Sequence, residues 1–509
     1  MSRRRLLFLL FLAGPVVLVT PTGPSMSDSV LLAAIRLVDD HTLTLSDETD
    51  PKVVFETEAF DISARGGRVY SGVGPGASIV AAPFYAVLEP LLGCLDGRLI
   101  TNRRFVNYYY PHRSERGMSV PGRLKDVYLL QILLAMSVVA PLTASFLLRL
   151  HDRLSAHGVE PSQAMAIALS VGLGSMALYY SAMYSRQALA YGFAWHAALT
   201  MTHGPGELRP GRGSWLVGGA LLGAAVAVDY SSALLVGLLL LFLLPTAAAS
   251  ARLLTLLTLA AGVTGIALYH RAAFGSPLAT PYHFRFWFTP EHLARQGLDF
   301  AAFQAGPALG LNAPSLAVMA QLCFGAFKGL FVYSPVLLLG LLGHVAGLPD
   351  ARRRFFHAGC LLVFLCYLAF NSMLGTHVAE YGRYFWGGLS ALWGPRYLYG
   401  VIPFLAVGLV RLDWRRPGPR VLCYVLLVVS CFFNVLGAMF SDVVMSTYAF
   451  GPELRAPLVY VTRLLLGHGP RVPLLDAYGV AGAVQWAVLT ALAALAVFAA
   501  RTLGRRASV

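Results

Sequence analysis

Apolar segments of nearly membrane-spanning length recur along the chain, and they constrain its fold more than any other feature. A helix needs about 20 apolar residues to cross the hydrocarbon core of a bilayer. The composition fits this setting, since 57% of the residues are apolar and only 13% are charged. The sequence therefore predicts an all-α polytopic membrane protein. Its twelve predicted crossings are residues 5–20, 127–149, 163–181, 187–203, 214–229, 231–246, 252–270, 327–347, 355–374, 395–411, 420–441 and 478–500.

The placement of arginine predicts the orientation of these crossings. Short loops on the cytoplasmic side of a membrane are enriched in Lys and Arg. With a cytoplasmic N-terminus, each short inner connection contains Arg, including residues 352–354, whereas short outer turns such as residues 229–231 contain little or none. We therefore expect both termini in the cytoplasm. The formal charge of +14 then sets topology and attracts anionic membrane lipids, and we expect no nucleic-acid partner.

Three long loops lie on the outer side in this topology, at residues 21–126, 271–326 and 442–477. The second of them separates seven predicted crossings from five. This division predicts a module of residues 1–326, which contains the two larger outer loops, and a C-terminal membrane module of residues 327–509.

The first outer loop holds 13 of the 25 acidic residues and two further apolar stretches. We assign both stretches to the membrane interface. Residues 29–40 place leucine and isoleucine on one side of a predicted helix. Residues 75–93 contain three prolines and Glu89, which favours a broken interfacial helix. As a crossing, this run would move the arginines at 352–354 to the outer side, against the charge rule.

Asp28 lies where the chain leaves the first crossing and a helix is predicted to begin. An acid at this place can cap the helix and interact favourably with its dipole, so its position also has a purely structural explanation. Other acids of the loop, such as Asp39 and Asp40, are typical of a solvated surface.

Two other motifs have the composition of a phosphate site. Gly72, Gly74 and Gly76 allow a tight turn whose amides could approach a phosphate. Arg396 lies among aromatic residues at the outer end of the tenth crossing. Its guanidinium could bind a lipid phosphate through two hydrogen bonds, or it could extend to the bilayer surface as part of an aromatic belt. In the same loop, Glu380 and Arg383 are candidate counter-charges.

Other charged or polar candidates share the same predicted outer side. Arg186 follows the third crossing, in a short loop that contains no carboxylate. Lys328 begins the eighth crossing, and His283 follows Tyr282 in the second long outer loop. Each has an ordinary structural explanation by itself, and the side of the membrane that they share is what makes them candidates.

These features together resemble bacterial members of the GT-C superfamily, which are polytopic glycosyltransferases. The superfamily includes protein O-mannosyltransferases and lipid A aminoarabinose transferases. The resemblance rests on a first outer loop that opens with an acid, a YS…PG…APFY helix, an FGSP…PY segment and a WGG…WGPRYL…PFL crossing. By architecture it spans roughly residues 5–410.

The resemblance implies transfer of a sugar from a polyprenyl-phosphate donor to a glycan, lipid or protein acceptor. The reaction would occur with inversion, on the outer face of a bacterial inner membrane. By position, Asp28 corresponds to the carboxylate that acts as general base, and Arg396 to the arginine that binds the donor phosphate. Further substrate-binding residues expected around them are Arg186, Lys328, Tyr282, His283, Glu380, Arg383 and Tyr397.

The chain departs from the superfamily at the acid itself. The first outer loop of these enzymes often carries an Asp-Glu pair that can help to hold a divalent metal, whereas this chain has Asp28 followed by serine. The sequence therefore supplies no clear set of metal ligands. Two other functions stay open, a lipid or glycan transporter and a non-catalytic membrane scaffold. A transporter would place ionisable residues in the middle of its crossings, and few are present there.

Overall fold

A computed structural model describes residues 3–20, 25–46, 62–99, 122–203, 210–284, 311–374, 393–440, 456–477 and 479–505. Most of these residues are helical. In the first half of the chain the helices are α1 (Arg3–Val17), α2 (Ser25–Asp39), α3 (Gly76–Leu99), α4 (Gly122–Leu134), α5 (Ala140–Ala156), α6 (Pro161–Gly172), α7 (Ala177–Ser181), α8 (Arg186–Met201), α9 (Arg212–Val228), α10 (Ala233–Leu243) and α11 (Ala249–Phe274).

The second half continues with shorter and longer helices. They are α12 (Leu316–Phe324), α13 (Leu330–Tyr333), α14 (Val336–Gly347), α15 (Arg354–Ser372), α16 (Ile402–Val407), α17 (Pro417–Met439), α18 (Pro457–His468), α19 (Pro473–Ala477) and α20 (Gly482–Arg505). A π-helical turn at Ala135–Val139 joins α4 to α5. Turns of 3-10 helix occur at Tyr230–Ser232, Leu244–Thr246, Pro281–Phe284, Arg396–Val401 and Gly408–Arg411.

Among the described helices, four are long and apolar enough to cross a membrane. They are Leu129–Ala156, Ala249–Phe274, Arg354–Ser372 and Pro417–Met439. Other apolar helices are shorter, such as Arg212–Val228. The protein is thus a mostly helical chain with the composition of a membrane protein, and four of its helices have membrane-spanning length.

Several predicted crossings are not single continuous α-helices, and 327–347, divided between α13 and α14, is one of them. The segment 163–181 is divided into α6 and α7, with Leu173 to Met176 outside both helices. The segment 395–411 consists of a 3-10 turn, the short helix α16 and a second 3-10 turn. Gly172 and Gly174 lie at the first interruption, and glycine weakens a helix because it loses more backbone entropy than other residues.

Two contacts between distant parts of the sequence mark the two ends of α1. At one end, Arg4 at the start of α1 pairs with Asp152 near the end of α5, 2.9 Å apart. At the opposite end, the amide of Thr20 donates to the carbonyl of Ala182, at 3.0 Å. We call these the Arg4 end and the Ala182 end.

The first predicted outer loop contains a small sheet that the all-α prediction did not include. Strands β1 (Thr44–Ser46), β2 (Ile62–Arg65) and β3 (Arg68–Ser71) pair antiparallel in the order β1-β3-β2. The sheet packs on the segment that follows α11. The Tyr70 and Phe274 rings are 5.3 Å apart, and Ser63 Oγ donates to the Pro281 carbonyl at 2.8 Å. Two predicted outer loops therefore meet in one structure.

The two stretches that we assigned to the membrane interface are both helical, and they differ from the prediction in burial and in continuity. Helix α2 is buried, with Val30 to Ile35 almost fully covered by packing against α3 and α4. Helix α3 is continuous through Pro83 and Pro90 instead of broken. Its uncovered face is apolar and includes Val87 and Leu91, at 75% and 56% exposure.

Candidate functional site

Arg186 is the first residue of α8 and is 5% exposed. Ser185 caps the helix, with its Oγ accepting from the amide of Ala188 at 3.4 Å. A cation at the start of a helix is opposed by the helix dipole, so a buried arginine needs a nearby negative charge.

Asp229, at the end of α9, supplies that charge. Its Oδ2 lies 3.4 Å from Arg186 Nε and accepts from Gln187 Nε2 at 3.1 Å. Its Oδ1 accepts from the Ser231 amide at 2.9 Å and from Ser231 Oγ at 2.7 Å. In each of these contacts a carboxylate oxygen is the acceptor. Asp229 is therefore held in one position beside Arg186.

The partner of Arg186 comes from outside its own loop. The short loop that contains Arg186 has no carboxylate. The structure brings Asp229 from the next outer turn of the chain. A signal was present, since an aspartate between two apolar runs requires a partner when it is buried.

Lys328 lies in a turn between α12 and α13, outside the helices of membrane-spanning length, and is 2% exposed. The Gly329 amide closes the turn on the Gly325 carbonyl at 2.7 Å. The hydroxyl of Tyr333 donates to the carbonyls of Ala326 and Phe327, both at 2.9 Å. Burial, and then the charge of Arg396, lowers the pKa of Lys328 to about 7.

Arg396 opens the 3-10 turn Arg396–Val401 and is 4% exposed. Gly394, two residues earlier, has φ +72°, a conformation that residues with a Cβ rarely adopt, and Pro395 then leads into the turn. The guanidinium lies over the Tyr397 ring, 4.7 Å from its centroid, and Nη2 donates to the Tyr397 hydroxyl at 3.0 Å.

Asn434 on α17 ties the Lys328 and Arg396 segments together. Its Oδ1 accepts from Trp393 Nε1 at 3.2 Å, and its Nδ2 donates to the Tyr333 carbonyl at 2.9 Å. The Tyr333 and Trp393 rings meet edge to face at 4.7 Å. Sequence analysis missed Asn434, although a polar side chain inside an apolar run is a recognisable signal.

Arg186, Lys328 and Arg396 together form what we call the cation cluster. Arg396 lies within electrostatic range of both, since its charge is opposed by that of Arg186 and itself opposes that of Lys328. Like charges repel strongly where water is excluded. Asp229 pairs with Arg186. Guanidinium and ammonium groups are side chains that bind the oxygen atoms of an anion such as a phosphate.

Aromatic rings fix the Arg396 segment against α8. Trp195 and Tyr399 stack at 4.9 Å with an interplanar angle of 11°, and Trp195 Nε1 donates to the Gly400 carbonyl at 3.1 Å. Tyr180 meets Tyr399 edge to face at 5.6 Å and lies within electrostatic range of Arg396. Such packing restricts the arginine to one position before any ligand binds.

The first predicted outer loop reaches the same end of the bundle. Ser29 Oγ and Ser71 Oγ are 2.9 Å apart, which holds the start of α2 beside the glycine segment. A Cβ on Gly74 would lie 2.8 Å from the Ala227 carbonyl oxygen and 3.0 Å from the Tyr230 ring, so only glycine fits there. Asp28 immediately precedes Ser29 in α2, and its side chain lies outside the described part of the structure.

The remaining predicted residues separate into three groups. Tyr282 meets Tyr230 edge to face at 5.9 Å and so lies beside the Arg186–Asp229 pair. His283 is exposed, and its Nδ1 is 3.0 Å from Thr280 Oγ1, so the structure does not bring it into the cluster. Glu380 and Arg383 fall in the stretch 375–392, outside the described residues.

A search for metal ligands and comparisons with known proteins add no information about the site. Within the described ranges, no three His, Cys, Asp or Glu side chains are grouped so that they could hold a metal ion. The chain matches no protein-family profile, no curated protein and no solved structure. Its function is therefore inferred from the cation cluster and its surroundings.

Proposed function

We propose that the protein is a membrane glycosyltransferase of the GT-C type, which transfers a sugar from a polyprenyl-phosphate donor to a glycan, lipid or protein acceptor. One observation carries the proposal. Three buried cations, Arg186, Lys328 and Arg396, converge at one end of a helical membrane protein. A phosphate attached to a membrane lipid is an anion that would reach such a place from within the bilayer.

The positive groups of the cluster would stabilise the transition state of the reaction as well as the bound phosphate. The phosphodiester of the donor carries one negative charge, and a second develops as its bond to the sugar breaks. Fixed cations therefore stabilise the transition state more than the bound donor, which is the requirement for catalysis. Arg396 would contact the phosphate directly, with Arg186 and Lys328 beside it, while Tyr397 holds the guanidinium.

Asp28 is the proposed general base. It would take the proton of an acceptor hydroxyl as the hydroxyl oxygen attacks the anomeric carbon. The bond from that carbon to the phosphate oxygen breaks, polyprenyl phosphate departs, and the anomeric configuration inverts. General-base assistance contributes about 10²–10⁴-fold to the rate. The Ser29–Ser71 contact supports this role, because it keeps the start of α2 beside the glycine segment and Tyr230.

The finer topology belongs to the same proposal. All twelve predicted segments would cross a bacterial inner membrane, with both termini in the cytoplasm and the Ala182 end facing outward. One fact supports this orientation. Arg352 to Arg354 are exposed, and Asp350 close to them pairs with Arg411 at 3.2 Å. Helices of this chain expose large apolar side chains, including Leu257 and Val428, which supports contact with a bilayer.

The test is to incubate the purified protein with undecaprenyl phosphates that carry mannose, glucose, N-acetylglucosamine or 4-amino-4-deoxyarabinose, together with a membrane extract as the source of acceptor. We expect one donor to be consumed with release of undecaprenyl phosphate. Arg396→Gln should stop this release, whereas the control Arg411→Gln should not. A protein that moves these lipids across vesicles without cleaving them would instead be a transporter, and one that neither cleaves nor moves them would be a scaffold.

A further inference from the structure

Tyr230 and His270 form a hydrogen-bonded pair beside the Arg186–Asp229 ion pair. Tyr230 Oη lies 2.7 Å from His270 Nε2, and His270 Nδ1 lies 3.2 Å from the Pro277 carbonyl oxygen. The Tyr230 and His270 rings also meet edge to face at 5.5 Å. His270 is 4% exposed, so its ring has no freedom to exchange these partners for water.

These contacts determine where the protons are. A carbonyl oxygen only accepts, so Nδ1 of His270 must carry a hydrogen. In the neutral imidazole the other nitrogen, Nε2, then has a lone pair and accepts. The Tyr230 hydroxyl must therefore donate to Nε2. Its oxygen keeps its lone pairs for another group, and the donated proton makes that oxygen a stronger acceptor.

Tyr230 is the member of this pair that a substrate can reach. It is half-buried, whereas Tyr180 and Tyr191 in the same region are fully buried. It follows Asp229 in the chain and lies within electrostatic range of Arg186. Gly74 and Tyr282 contact its ring from the two outer loops, which fixes the position of the hydroxyl.

We propose that Tyr230 Oη accepts a hydrogen bond from a hydroxyl group of the transferred sugar, and that His270 is the positioning residue that keeps it an acceptor. This inference rests on the proposed function. The sugar is favoured over the acceptor substrate because it is bonded directly to the phosphate, and Tyr230 is a direct neighbour of the pair that includes Arg186 of the cation cluster.

The same geometry predicts a dependence on pH. When His270 becomes an imidazolium, Nε2 donates to Tyr230 Oη, and the tyrosine proton must turn toward the substrate. The oxygen then no longer accepts from a sugar hydroxyl. The titratable groups that face His270 are Tyr230, Tyr269 and His283, and it packs against the apolar ring of Phe274.

The experiment compares two lipids that differ only in the sugar. Binding of undecaprenyl phosphate, and of the undecaprenyl-phosphate sugar that the donor panel selects, is measured for the full-length protein in nanodiscs. Tyr230→Phe should weaken binding of the sugar-bearing lipid by about 3- to 10-fold, as expected for one hydrogen bond, and leave binding of undecaprenyl phosphate unchanged. Tyr424→Phe, far from the cluster and 40% exposed, is the matched control.

The pH dependence distinguishes the proposed role from a structural one. As the pH is lowered until His270 becomes protonated, wild-type affinity for the sugar-bearing lipid should fall relative to that of His270→Gln, whose side-chain oxygen still accepts from Tyr230 but does not titrate. An equal loss for both lipids in Tyr230→Phe, parallel pH profiles, or a defect only in the KM for the acceptor would overturn the inference. If neither lipid binds to the wild type, the proposed function itself fails.

Discussion

Arginine side chains are exposed at one end of the bundle and buried at the other. At the Arg4 end, Arg4 pairs with Asp152 at 2.9 Å and Arg411 with Asp350 at 3.2 Å, and all four side chains are at least 30% exposed. Water solvates such pairs, which contribute about 0–1 kcal/mol each. At the Ala182 end, the cation cluster is almost completely buried. Three basic side chains lie together there, and Asp229 pairs with one of them, Arg186.

Arg149, which is half-buried, shows that an arginine within the helices does not by itself indicate a ligand. Its Nη1 lies 2.9 Å from His196 Nδ1, and its Nη2 donates to Thr200 Oγ1 at 3.0 Å. His196 Nε2 is 3.1 Å from the Leu142 carbonyl, so Nε2 donates and Nδ1 is free to accept from the guanidinium. One arginine can thus be accommodated by neutral partners within a helix pair. The cation cluster differs because three positive groups lie together.

The largest expected effect concerns Asp28 and its matched control Asp39 on the same helix. If Asp28 is the base, Asp28→Asn lowers transfer by about 10²–10⁴-fold, because an amide cannot take the proton. Asp39 is exposed and accepts from the Tyr85 hydroxyl at 3.3 Å, so Asp39→Asn should change transfer by less than about 2-fold. Initial rates of undecaprenyl phosphate release measure both. Full activity in Asp28→Asn would remove this residue from the mechanism.

Asp229→Asn should destabilise the fold far more than Asp350→Asn. Removing one member of a buried ion pair leaves the other charge uncompensated, which costs about 3–5 kcal/mol. Asp350→Asn, at an exposed ion pair, should lower the free energy of unfolding by about 0–1 kcal/mol. Chemical unfolding in detergent gives both free energies. Similar values for the two variants would mean that the Arg186–Asp229 pair is not essential to the fold.

Replacement of Arg396 should abolish most transfer while leaving the protein folded. Removing one fixed charge-stabilising group costs about 10²–10³-fold in rate. Arg396→Gln should show this loss, and Arg396→Lys should recover only part of it, since an ammonium cannot form the two parallel hydrogen bonds of a guanidinium. Arg411→Gln at the Arg4 end is the control. Equal activity in all three variants would contradict the phosphate role of the cluster.

The smallest expected effect is a dependence of donor binding on pH through Lys328. Its pKa of about 7 means that it is largely neutral at pH 8 and becomes charged as the pH falls. Because only the charged form attracts a phosphodiester, affinity should rise as the pH decreases from 8 to 6, by at most about tenfold per unit. The measurement uses the His270→Gln background, so that this imidazole does not contribute.

Two substitutions separate Lys328 from other titrating groups. Lys328→Arg stays charged across this range, so its binding should be strong and flat with pH. Lys328→Met should bind weakly and be equally flat. A slope that persists in both variants would show that another residue takes up the proton.

Sequence alone predicted that the chain is mostly helical and has helices of membrane-spanning length. Each of the twelve apolar segments coincides with helical structure, at least in part, because a backbone in apolar surroundings satisfies its hydrogen bonds locally. The alternation of crossings then requires Arg186, Lys328 and Arg396 to share one end. The sequence could not predict which of these three residues would be neighbours. The alternation of crossings specifies the end of the bundle at which a residue lies, and not its position within that end.

Tertiary contacts determined which polar side chains meet at the site. The pairing of Asp229 with Arg186, the ties made by Asn434 and the hydrogen bond between Tyr230 and His270 join residues that are distant in sequence. None of them follows from hydrophobic periodicity, because periodicity reports only which face of a helix is covered. The burial of α2 and the sheet beside it depend on packing for the same reason. Local apolarity determined that this chain is a helical membrane protein, whereas long-range packing determined which polar groups meet.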